Sequence, residues 1–366
     1  MTQKEKVMGV PADLVRRLIV DVLTAWGMDG DLAAVTSDVM VDTDLSGIDS
    51  HGVSMLIAYE KYRQEGRIDF AARPTIVREN AASALIDAAS GLGHPAGVYA
   101  MRTAISKAKE NTVGVASVVH SHHFGAAGYY ADLAAKEGLL GLVTSSAQLT
   151  CAPPTGSVVP RLGTNPLAFA APARRNTNFL LDIATTTAAV NKVKVYDYHQ
   201  RPLPRGWVVN EEGQAVEDSA EAMRILKAKD RGGLTPLGGT PEMSSHKGYG
   251  LSMMAHILAA TLCGGTFPAI RERDDPAAPH NIGHFFLALD PTFFRLSGTF
   301  EDDLDDAIDL LHRTPPLHAE SPVLVAGDPQ AGAREERTRD GIPMPATLVT
   351  QLRGVAQRAG VQFELR

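Results

Sequence analysis

Along the first 70 residues the apolar positions recur every three to four residues, the spacing of one helical face. Leu14, Leu18, Ile19 and Val22 form such a stripe between Pro11 and Gly27, predicting a helix that opens near proline and closes at glycine. Leu32, Val35, Val39 and Met40 run on to Leu45 and Gly47, predicting a second helix with Ser50 and His51 immediately after it. A third helix is expected over 56–67, carrying Tyr59, Lys61, Tyr62 and Arg63. The opening region reads as all-helical.

From about Ala84 the pattern changes to short apolar runs at 84–89, 113–119, 139–144, 167–171 and 179–183. A helix is expected between the second and third of these, over 126–136, and such alternation implies a layered α/β sheet. Pro202, Pro204, Gly232, Gly233, Pro236, Gly238 and Gly239 bracket a stretch between Tyr196 and Met243 that reads as a long irregular excursion covering a site or a subunit neighbour. Beyond it, 245–262 is expected to be helical. The run 283–290, where Phe285, Leu287 and Leu289 alternate, is expected to be a strand. The acidic run 301–306 opens another helix, where negative charge suits the amino-terminal dipole and no metal role is needed. The segment 347–358 supplies a last amphipathic helix.

A chain of 366 residues can bury a large core, as one elaborate domain or two interlocked ones. Its 44% hydrophobic and 21% charged residues are ordinary globular values. The formal charge of -7 argues against a nucleic-acid or anionic-membrane surface. The two cysteines, Cys151 and Cys263, lie in no zinc-type spacing and read as packing residues in a reducing compartment. A polar amino terminus and no apolar run near the roughly 18 residues of a membrane span make a cytoplasmic, soluble protein the expectation.

Five segments carry candidate chemistry. Asp49-Ser50-His51-Gly52-Val53 places an imidazole at a glycine-punctuated corner, either as an acid–base group or as a helix-end core histidine. His122-His123-Phe124-Gly125-Ala126-Ala127-Gly128 follows a strand and enters a helix, offering unpaired N–H groups to a phosphate or close packing to a neighbour. It is not GxGxxG, and that fingerprint occurs nowhere in the chain, so an ordinary Rossmann half is not expected. Gly163-Thr164-Asn165-Pro166 is a turn whose asparagine must leave the helical region because proline follows. In Leu181-Asp182-Ile183-Ala184-Thr185 an acid interrupts an apolar strand and needs a partner such as a histidine. Ser245-His246-Lys247-Gly248 starts a helix with a lysine near a dipole that favours anions. Ser50, His51 and Asp182 suggest a hydrolase triad, but adjacent serine and histidine cannot readily aim Oγ at Nε2, and GxSxG is absent. Asp182 is therefore read as orienting an acid–base imidazole.

In this order the five segments resemble the malate/L-lactate dehydrogenase family, the sulfolactate dehydrogenase-like NAD(P)-dependent oxidoreductases, over nearly the whole chain. The resemblance implies an α/β fold in which a mixed sheet replaces the Rossmann domain and helices from both chain ends pack together, in a homodimer. The expected divisions are 1–75, helical and carrying Ser-His-Gly; 76–294, the mixed-sheet cofactor domain; and 295–366, packing back on the amino-terminal helices. It implies that His51 is the acid–base group, with Ser50 and Asp182 as partners and His123 as rival for the role. It implies NAD or NADP contacts at His123, Phe124, Gly125, Ala126, Ala127, Ser145, Thr164, Asn165, Asp182, Ile183, Ala184, Lys247 and the late turn Gly327-Asp328-Pro329. Lys192 matches a family lysine whose neighbours differ here.

Many members read Ser-His-Gly-Val-x-Arg, with the arginine placed to grip the substrate carboxylate. Here that position is Met55, as in a branch resembling the broad-specificity hydroxycarboxylate dehydrogenases. The carboxylate then needs another partner, for which Arg161, His122 and Lys192 are candidates. The expected reaction is hydride transfer between the nicotinamide and C2 of a small 2-oxo or 2-hydroxy acid. Alternatives are reduction of a cyclic imino acid and nucleotide binding without catalysis.

Overall fold

Seven strands build the central sheet in the order β2-β3-β4-β11-β5-β6-β7. The computed structural model describes residues 7–147, 149–270 and 280–365; residues 1–6, read above as a polar start, lie outside them. The strands are β2 (Thr75–Glu79), β3 (Ser83–Asp87), β4 (Val113–Ser121), β5 (Leu140–Ser145), β6 (Leu167–Ala171), β7 (Phe179–Ile183) and β11 (Ile282–Leu289). Among the described residues only β3 and β4 pair in parallel. A strand from late in the chain, β11, is inserted antiparallel between β4 and β5, so Phe286 and Ala288 lie at the centre of the core.

Helices α4 (Gly93–Asn111) and α5 (Ala127–Ala135) lie flat on this sheet because their inner faces are small. Ala96, Ala100, Ala104 and Ala108 recur every four residues and are buried, one stripe of α4. The strands answer with glycine. A Cβ on Gly114 would stand 1.9 Å from the Ala104 carbonyl oxygen, and one on Gly141 2.4 Å from that of Ala131.

The amino-terminal helices α1 (Ala12–Ala25), α2 (Gly30–Leu45) and α3 (Leu56–Gln64) form a second core. Ile342, Met344, Leu352 and Val355 join it from the other end of the chain, where β1 (Val7–Val10) pairs with β12 (Ile342–Pro345) and the helix Ala346–Ala359 follows. Helix α2 is buried almost all round because it ties the two cores together, Met40 in the helical one and Val39 in that of the sheet. The helix Phe300–His312 rests elsewhere. Asp305 accepts hydrogen bonds from the backbone N–H groups of Arg174, Arg175 and Asn176, at the end of β6.

The stretch read as irregular is a folded unit. After α6 (Val190–Tyr198), it holds the sheet of β8 (Val208–Val209), β9 (Ala215–Val216) and β10 (Gly233–Leu234), with α7 (Ser219–Ala228) packed on a third core of Val193, Leu203, Val208, Ile225 and Leu234. Two-residue strands leave too little alternation to be seen in sequence. The helix α8 (His246–His256) continues as one wider turn, Ile257–Thr261. No helix among the described residues is long and apolar enough to cross a membrane.

Candidate active site

Where α2 ends at Leu45, five residues before Ser50, the chain turns through Ser-His-Gly into α3. Asp44 fixes this turn. Its carboxyl accepts the Val53 N–H at 2.8 Å and fills the space where a Gly52 side chain would start, so only glycine fits there. Arg337, from the helix Asp328–Asp340, donates to the Asp44 carbonyl at 2.6 Å and pairs with Asp49. Burial pushes the Asp44 carboxyl up to about 8, against the hydrogen bond from Val53.

His51 is thereby held against the turn that follows β4. The His51 and His123 rings stack with centroids 5.3 Å apart, and both line one cavity of about 330 Å³. Ser50 Oγ lies 2.7 Å from His51 Nδ1. His123 Nδ1 has two donors, the Tyr59 hydroxyl at 2.7 Å and, more weakly, the Gly125 N–H at 3.4 Å. A ring nitrogen that accepts carries no proton, so the network assigns the His123 proton to Nε2. Burial lowers the pKa of both rings, with neighbouring imidazoles adding to the effect at His123. Both are neutral at pH 7.

More imidazoles support these two. Phe124 stacks on His284 at 4.3 Å, and His284 reaches Ser145 Oγ and Ser121 Oγ, each at 2.9 Å. His94 is fully buried beneath Tyr59 and His123, and neither of its nitrogens has a hydrogen-bond partner among the described residues. Among the described residues no group of His, Cys, Asp or Glu is placed to hold a metal ion.

A second cavity, of about 430 Å³, lies beyond Gly125 and is lined by Ile48, Ala126, Tyr129, Asp182, Gly327 and Arg334, among others. The expected site residues divide between the two. His51, His123, Phe124, Gly125, Ser145 and Thr164 face the first; Ala126, Asp182 and Gly327 face the second. Lys247 is exposed in the first turn of α8 and lines neither. Ile183 ends β7, and Ala184 leads on to Thr185, whose N–H donates to the Thr164 carbonyl at 2.9 Å. Asp328 and Pro329 begin a helix rather than a loop, and the Asp328 carboxylate is engaged by His312 at 2.8 Å.

Two expected roles are corrected. Asp182 does not orient His51: its carboxylate accepts the Gly128 N–H at 2.7 Å in the other cavity, and burial pushes it up to about 6. Its place on β7 puts the start of α5, rather than the Ser-His-Gly turn, beside it. Asn165 is a staple rather than a free contact. Its Oδ1 accepts the Ala147 N–H at 2.9 Å, and its Nδ2 donates to the Ser252 carbonyl at 3.1 Å.

The proposed carboxylate partners also lie elsewhere. The Lys192 ammonium sits 5.1 Å over the Trp207 ring, His122 pairs with His280 at 2.9 Å, and neither they nor Arg161 line the first cavity. Sequence reasoning missed Lys229, which does line it, together with Met55. Its signal was hidden by the glycine and proline punctuation around α7.

Residues 10–353 match the family model described as malate/L-lactate dehydrogenase. The chain is 34% identical over 360 residues to a malate dehydrogenase of Pyrococcus horikoshii, covering 98% of this chain and 97% of that protein. It is 31% identical over 349 residues to an L-sulfolactate dehydrogenase of Methanocaldococcus jannaschii, covering 95% and 96%. Among solved structures, malate dehydrogenase from Entamoeba histolytica superposes with a TM-score of 0.92 at 29% identity, covering 98% of this chain and 99% of that one.

Proposed function

Because the chain belongs to the malate/L-lactate dehydrogenase family, and so is an NAD(P)-dependent dehydrogenase of hydroxy acids, we propose that His51 moves the proton and His123 polarises the reacting oxygen. The observation that carries this reading is the pair of stacked imidazoles on one cavity wall, each with Nδ1 already engaged. When bound, the nicotinamide supplies or accepts the hydride at C2.

The chain's own residues handle the oxygen. His123 offers Nε2–H as a fixed donor, because Tyr59 and Gly125 occupy Nδ1. His51, tied to a hydroxyl that can either donate or accept, is free to change protonation state. In reduction, protonated His51 gives its proton to the alkoxide formed at C2. In oxidation, the neutral ring takes the hydroxyl proton as the hydride leaves. Apolar walls exclude water from the exchange.

The two cavities on either side of the Gly125–Ala126 link suit a dinucleotide. The first suits the nicotinamide end, and the more polar second suits the adenosine end. We read this as a non-Rossmann arrangement, supported by a sheet in which five of its six pairings are antiparallel. The helical core made from both chain ends supports a division into a helical unit and a sheet unit. Homodimer formation is supported by the exposed apolar side chains Met254, Ile257 and Leu262 along and beyond α8.

The relatives named malate, sulfolactate and lactate dehydrogenases favour a hydroxy acid over a cyclic imino acid. The test is absorbance decay of NADH and of NADPH, assayed separately with a panel of 2-oxo acids and cyclic imino acids. Turnover of a 2-oxo acid is the expected result. Turnover of an imine alone would replace this reading.

A further inference from the structure

The cavity beneath His51 and His123 has largely apolar walls, with Met55, Leu149, Val190, Leu226 and Ile282 facing it. Among the described residues that line it, one carries a permanent charge, Lys229. A carboxylate placed against such walls without a partner loses its hydration with nothing to replace it. The imidazoles supply no standing charge, because burial favours their neutral form, and His51 is charged only while it holds the proton it passes on.

Lys229 is well placed to supply it. It closes α7 in the left-handed region, with φ 55°, and its N–H donates to the Ile225 carbonyl at 3.2 Å. The last turn of α7 is anchored by Ile225 and Leu226 in the third core, which makes a fixed base for a long side chain. A lysine stands where glycine or asparagine would meet the backbone geometry with less strain. Its ammonium is close enough to the Cys151 thiol, another lining group, to oppose the rise that burial causes there.

We propose that Lys229 anchors the substrate carboxylate, forming the ion pair that sets C2 of a 2-oxo acid beside His51 and His123. The proposal rests on the hydroxy-acid reading above and adds to it a unit outside the sheet that selects for an anionic substrate. It also accounts for the 190–234 segment, which carries a cation to a site that the sheet and the amino-terminal helices otherwise complete.

The experiment compares wild type with Lys229→Met and Lys229→Arg, on a 2-oxo acid and on its uncharged methyl ester. Lys229→Met should raise KM for the acid by about 10- to 100-fold while kcat stays within about threefold. Lys229→Arg should restore KM, and the ester should be used equally poorly by wild type and Lys229→Met. An unchanged KM in Lys229→Met, or an equal loss on acid and ester, overturns the assignment. Calorimetric binding of oxamate, an unreactive carboxylate mimic, to the cofactor-saturated protein separates the two proposals. A wild type that turns over no 2-oxo acid sinks the reaction. Oxamate binding equal in wild type and Lys229→Met sinks the role of Lys229.

Discussion

Ser50 Oγ and His51 Nδ1 lie 2.7 Å apart, although they belong to adjacent residues, so the ring's remaining nitrogen is left for chemistry. A side chain that both gives and takes a proton in the rate-determining step is worth about 10²–10⁴-fold in turnover. His51→Ala should lose that much in steady-state kcat, with cofactor affinity retained. Ser50→Ala removes one neutral hydrogen bond and should cost about tenfold. Because burial lowers the His51 pKa, the base form persists below pH 6.5, and the acid limb of the oxidative kcat/KM profile should fall under that value. A limb above pH 6.5, or a His51→Ala protein with near-normal turnover, would remove His51 from the mechanism.

The Tyr59 hydroxyl is buried, and its bond to His123 is what fixes the tautomer. Burial raises its pKa well above the usual phenol value, so it remains a neutral donor across the working range. In Tyr59→Phe only the long contact from Gly125 is left to hold the proton on Nε2. We expect kcat to fall about tenfold while KM changes little, since the oxygen is polarised most strongly in the transition state. A rise confined to KM would mean that Tyr59 serves binding instead.

Local signals carried much of this fold. The apolar runs at β6 and β7 match the strands residue for residue, and the first two helices follow from their stripes. What stayed hidden depends on distant partners. The helix Asp328–Asp340 buries none of its residues, so it has no apolar period to detect, and only Gly327 before Asp328-Pro329 marks its start. The pairing of β1 with β12 joins opposite ends of the chain. The Ser-His-Gly turn was legible because chemistry and glycine coincide there. The true partner of Asp182 was not, because strand position does not say which helix start lies beneath it.

Asp44 gives a test of how the Ser-His-Gly turn is held. Its pKa is raised from 3.8 to about 8, so between those values the folded state keeps a proton that the unfolded chain has lost. Stability therefore falls as pH rises through this window. Asp44→Asn keeps an acceptor for the Val53 N–H and removes the titration. Its stability relative to wild type should grow with pH from 4 to 8, by at most about 1.4 kcal/mol per unit, in urea denaturation. Asp44→Ala should instead lose activity, because the Val53 amide is left buried without a partner. A pH-independent difference between Asp44→Asn and wild type would show that Asp44 does not titrate in this range.

The buried imidazoles impose the opposite slope. His94 and His284 are held down to about 3, and His122 and His123 well below 6.5, burial being the largest cause in each case. Below pH 6.5 the unfolded chain binds protons that the folded state refuses, so stability is lost as pH falls from 6.5 toward 3. Each ring contributes up to about 1.4 kcal/mol per pH unit. Four such groups outweigh the contrary slopes of the two raised carboxyls, Asp44 and Asp182, so Tm should drop between pH 6.5 and 4. His94 isolates the effect, because among the described residues neither of its nitrogens has a partner to lose. His94→Leu removes an unsatisfied buried ring and should raise Tm, with a gain that widens as the pH is lowered. A gain that is constant from pH 8 to 5 would mean that His94 is not held neutral by the fold.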